Sequence, residues 1–144
     1  MSPAGSSKGG GGGEASRAVI LIRILVGWFY LFEGIEKFMF SDRMASGQFH
    51  RLGIPAPHAV AILVAVLEIL CGVAVLVGIE TRWAAGGLLL VNLGAIAATK
   101  LHLFRHDDIW TALHQSRLEI SLFLAIVFLM VAGSGAYALE NRRG

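Results

Sequence analysis

The side chains with which this chain could do chemistry stand inside or at the ends of otherwise apolar stretches: Arg23, Glu33, Lys37, Glu68, Asn92, His102 and Glu119. Carboxylates, cations, an amide and an imidazole can move protons, hold a polar ring or pair with one another. An ionisable group at the centre of a membrane helix costs about 2.5–3.5 kcal/mol on insertion scales, so each needs a partner or a use. At 100° per residue, Arg23, Gly27, Tyr30, Gly34 and Lys37 fall within about an 80° arc. That polar or small stripe should face other helices. Glu33 borders it and can pair with Lys37 at i,i+4, whereas Glu36 points away toward the headgroups. Glu68 shares its face with Ala61, Ala65 and Gly72, small residues that permit close helix approach.

Depth along the chain sets further expectations. Arg23 and Glu68 carry opposite charge at neighbouring depths and are expected to form a buried pair. Glu33, Lys37, Lys100, His102 and Glu119 are expected near one surface, with Glu68 and Asn92 near the middle. Together they would form a polar cavity that opens on the Glu33/Glu119 side. The alternative is that the same groups only pair and fix helix register. No catalytic residue is assigned.

Other reactive types are less informative. His102 and His106 have the i,i+4 spacing of a metal or haem pair. All five histidines (His50, His58, His102, His106 and His114) nevertheless fall in loops or at helix ends among polar neighbours. They read as solvated or interfacial, and no metal site is expected. Cys71 is the single cysteine, which excludes an internal disulfide and any CxxC pair. It reads as core packing.

The elements that position these groups follow from composition. The chain has 144 residues, 56% hydrophobic and 15% charged, against roughly 45–50% and about 25% in soluble domains. Mean hydropathy is +0.69. The net charge of +2 is too small to suggest nucleic-acid binding. Residues 1–16 are rich in glycine and serine and read as a flexible tail, not a secretory signal. Four apolar stretches follow at about 17–40, 58–79, 82–101 and 117–139, each near the roughly 20 residues that span a bilayer. The last two are joined by a segment, 102–116, expected to lie at the interface with its aromatics as anchors. Residues 142–144 form a polar C-terminus. The expected fold is all-α: a membrane-spanning antiparallel four-helix bundle over 17–141. The cations divide almost evenly between the two sides, so orientation is not readable.

The runs RILVGWFYLFEGIEKF, FHRLGIPAPHAVAILVAVLEILCGVAVLVGIETR and LEI…GSGAYALEN resemble the DoxX family of small membrane proteins. The likeness covers roughly Arg17 to Asn141. Its matching positions are Arg23, Gly27, Gly34, Lys37, Gly53, Pro55, Glu68, Gly72, Gly78 and Glu119, with His102 less securely placed. The resemblance implies a four-helix integral membrane protein of the bacterial plasma membrane. The family takes its name from the membrane partner of a thiosulfate:quinone oxidoreductase, and related members are linked to sulfur and thiol redox. It therefore implies a redox-associated membrane subunit with no intrinsic cofactor. Electrons would pass through a bound quinone or a partner subunit, and a homo-oligomer is compatible. Two other readings stand beside it: a non-enzymatic assembly or stability factor, and a small proton-coupled transporter using Glu68.

Overall fold

The computed structural model describes residues 11–40, 50, 51, 53–106, 108–135 and 138; side chains at 11, 12, 98–106 and 115 lie outside the description. Among the described residues there are four long α-helices and no strand: α1 Gly11–Met39, α2 Pro57–Val77, α3 Thr81–His106 and α4 Ile109–Ala132.

The helix ends have local causes. Pro57 opens α2, where its fixed φ suits the first turn and its missing N–H is not needed. The helix stops at Gly78, whose φ of 76° is left-handed and open to glycine. The N–H groups of Gly78 and Ile79 both return to Ala74 O at 2.9 Å. Thr81 then starts α3 at once, so α2 and α3 form a tight helical hairpin.

Two boundaries differ from expectation. The helix α1 begins at Gly11, so residues 11–16 of the expected flexible tail are helical. Once the apolar run is helical, each residue added upstream gains a backbone hydrogen bond without a new nucleus. Glu14 in the first turn also complements the helix dipole. Residues 1–10 and 142–144 lie outside the described residues. The second difference is α4, which runs Ile109–Ala132 and not 117–139. Gly133, at φ 80°, ends it. The expected interfacial segment 102–116 is thus helical over 102–106 and 109–116.

Glycines set the closest packing. A Cβ on Gly72 would lie 2.8 Å from Leu31 N, and one on Gly34 would lie 2.8 Å from Ala65 O. The α1 and α2 backbones therefore touch, and with Gly27 beside Gly72 and Gly34 beside Ala65 they run in opposite directions. The helix α3 packs against α2 and more extensively against α4, whereas α1 and α4 meet over a shorter stretch. Val26, Val75, Leu88, Ile126 and Leu129 are fully buried at the centre.

The outer surface is apolar as well. Leu21, Trp28, Leu70, Trp83, Leu90, Trp110 and Val131 are all exposed. Residues 13–39 and 57–77 form helices long and apolar enough to cross a membrane, the second with a mean hydropathy of 3.0. At 1.5 Å per residue, α2 is about 32 Å long, close to the hydrocarbon thickness. At 26 and 24 residues, α3 and α4 have the length to do the same.

The glycine contacts separate two substitutions. Gly72→Val should lower the thermal midpoint in detergent, corresponding to about 1–3 kcal/mol of overpacking. Gly94→Ala, where a Cβ meets nothing within 4 Å, should leave the midpoint unchanged or slightly higher.

Candidate functional site

Arg23 lies on α1, 4% exposed, and its guanidinium spends its donors on backbone carbonyls. Nε reaches Val75 O at 3.0 Å, one terminal nitrogen reaches Leu76 O at 2.8 Å, and the other reaches Ser134 O at 3.0 Å. Val75 and Leu76 are in the last turn of α2, where carbonyls have no helical partner. Arg23 thus caps α2, with its charge at the negative end of that helix's dipole. It also ties down the chain beyond α4. A Cβ on Gly78 would lie 2.5 Å from an Arg23 nitrogen, so this glycine also makes room for the guanidinium.

The expected Arg23–Glu68 pair is not formed. Glu68 Oε1 instead accepts from Lys37 Nζ at 2.8 Å. Glu68 is 1% exposed, so its carboxylate depends on that cation. The geometry explains the exchange of partners. Gly34 lies against Ala65 and Glu68, which brings the next turn of α1, with Lys37, within reach of Glu68. Arg23 lies about four turns back from Lys37 along α1. Lys37 also pairs with Glu33 Oε1 at 3.3 Å, the anticipated i,i+4 contact.

Asn92, 2% exposed, joins the remaining helices. Its Nδ2 donates to Tyr30 Oη at 2.9 Å and to Glu119 O at 3.2 Å. The Glu119 carbonyl can only accept, which fixes the amide orientation. Asn92 Oδ1 then faces away and has no partner, as do Glu68 Oε2 and Glu119 Oε2.

Glu33, Lys37, Glu68, Asn92 and Glu119 line a single cavity of about 140 Å³. Phe29, Tyr30, Val91, Ala95, Leu118 and Leu122 complete its walls. Arg23 is not among them, and the His102 side chain lies outside the described residues. The depths also differ from expectation. Glu33 and Lys37 gather at the level of Glu68 rather than at a surface. Because α4 starts at Ile109, Glu119 lies about three turns inside it and not one. Tyr30 is the polar wall residue that the sequence reading left off its site. Its signal was its place on the same arc as Gly34 and Lys37.

The site and fold define a helical membrane protein with a polar cavity set among apolar helices. Comparison with known proteins then gives its family. Residues 18–101 match the DoxX family model, and the chain belongs to the DoxX family. The match takes in Lys37, Glu68 and Asn92 and ends before Glu119. The chain is also 42% identical over 135 residues to the uncharacterized membrane protein Rv3486 of Mycobacterium tuberculosis, covering 90% of this chain and 83% of that one. No solved structure matches it.

Lys37→Met should destabilise the fold by about 3–5 kcal/mol, because it strands a buried carboxylate. Adding Glu68→Leu should restore most of that loss, as read by thermal unfolding in detergent. Arg23→Lys should not behave conservatively. One ammonium cannot reproduce a planar fork over three carbonyls, and the midpoint should fall by an amount comparable to Arg23→Met.

Proposed function

We propose that this protein crosses the bacterial plasma membrane as an antiparallel four-helix bundle. Its cavity holds the ring of a quinone or quinol for a redox system whose other subunits carry the remaining chemistry. The observation that carries this reading is the set of three buried oxygens without partners, Glu68 Oε2, Asn92 Oδ1 and Glu119 Oε2, all on residues that line the cavity. Buried polar atoms without partners are uncommon in folded proteins, and each costs about 1–3 kcal/mol. The two hydroxyl groups of a bound quinol would supply donors to two of the three. Size agrees: about 140 Å³ is close to the roughly 150 Å³ cavity that accepts benzene.

A bound quinone would supply reversible two-electron, two-proton carrier chemistry. The chain's own residues position and protonate. Tyr30 Oη already accepts from Asn92, so its proton is free to point elsewhere. Lys37 Nζ can donate from the cavity wall, and Glu119 Oε2 can accept or return a proton. The Phe29, Val91 and Leu122 side chains exclude water from the ring. The arrangement gives less support to proton-coupled transport through Glu68, since Lys37 already neutralises that carboxylate at 2.8 Å.

In lipid nanodiscs, a benzoquinol with a decyl tail should bind saturably with one site per chain. Glu119→Leu should weaken binding about tenfold, the equivalent of one lost hydrogen bond. Absence of saturable binding to the native chain would overturn the reading and favour an assembly or stability factor.

A further inference from the structure

We infer that the cavity opens sideways into hydrocarbon at the seam between α1 and α4, and that its ligand reaches it from within the membrane. The inference rests on the cavity being a ring-binding site, and it adds the route and the phase from which the ring arrives.

The exposed wall residues locate the opening. Glu68 and Asn92 are sealed at the back, whereas the Glu33 side chain is 38% exposed and Leu118 is 51% exposed. Gly34 marks the α1 face that touches α2. Glu33 lies about 100° round from it and Phe29 about 140°, both in the same sense, on the edge away from α2. On α4, Met130 marks the side toward α3, with its Cε 4.0 Å from a Cβ built on Gly86. Leu118 lies about 120° round from Met130. The two exposed lips therefore face each other across the α1–α4 seam, where those helices meet over the shorter stretch.

The level of the opening decides what can pass. Gly34 lies against Ala65 and Glu68, midway along Pro57–Val77, the helix best suited to crossing a bilayer. Glu33 is its neighbour, so the mouth is level with the middle of α2. Water is scarce at that depth, and acyl chains cannot donate to the waiting oxygens. A molecule that satisfies both surroundings has an apolar tail in the bilayer and a polar ring with hydroxyl or other donor groups in the cavity. A water-soluble polar solute has no route to this mouth.

The test places a nitroxide on the lip as Leu118→Cys, with Cys71→Ala so that one thiol remains, in phosphatidylcholine–phosphatidylglycerol vesicles. Power saturation then compares collisions with oxygen, which concentrates in hydrocarbon, and with a nickel chelate, which stays in water. Oxygen should relax the label several-fold more effectively than the chelate. The decyl-tailed benzoquinol should reduce oxygen access to the label, and its tail-free parent at equal total concentration should do so several-fold less. Equal access by the nickel chelate, or equal protection by the tail-free parent, would overturn the inference. A label buried in hydrocarbon with no effect of either quinol would instead remove the quinone reading and leave the depth of the mouth established. Phe29→Cys on the opposite lip gives the same readout if the Leu118 variant fails to fold.

Discussion

Hydrocarbon offers no hydrogen bonds, so each polar atom carried into an apolar helix must be satisfied by another part of the same protein. Glu68 meets this constraint most severely. It is 1% exposed and lies midway along the most apolar helix, and its carboxylate is held by one ammonium, that of Lys37, at 2.8 Å. That contact requires α1 to lie against α2 at a set register, since a shift of one helical turn would carry Lys37 about 5 Å away. The cavity, the Glu33 pair and the facing Asn92 all take their places around it.

Arg23 solves the same problem by a different means. Its charge is spread over carbonyl oxygens at the end of α2 and beyond α4, places where helices leave acceptors unpaired. Arg23 therefore closes the end of the bundle where α2 and α4 stop, and leaves the cavity's carboxylate to Lys37. The separation leaves Glu68 with one free oxygen and the cavity with an excess of acceptors. The glycines make this possible: Gly27, Gly34 and Gly72 allow backbone contact between α1 and α2, and Gly78 leaves space for the guanidinium.

Much of this was legible in the residues themselves. The four apolar runs correspond to the four helices because long stretches without polar periodicity have few other structures open to them. The arc from Arg23 to Lys37 identified the inward face of α1, and the small residues around Glu68 identified that of α2. Partner choice was not legible. Depth had to be counted from assumed helix ends, and each residue of error shifts it by about 1.5 Å. The eight-residue difference at the start of α4 was enough to misplace Glu119. Nor does a sequence display the backbone carbonyls that claim Arg23, which made Glu68 look like its natural counter-ion.

The most direct measurement of the central claim is solid-state magnetic resonance in lipid bilayers, with a carbon isotope at the Glu68 carboxyl and nitrogen isotopes on the lysine and arginine side chains. The account predicts strong dipolar coupling between the Glu68 carboxyl and the Lys37 ammonium, abolished by Lys37→Met, with none to a guanidinium. Coupling of that carboxyl to Arg23, or to no cation at all, would contradict it.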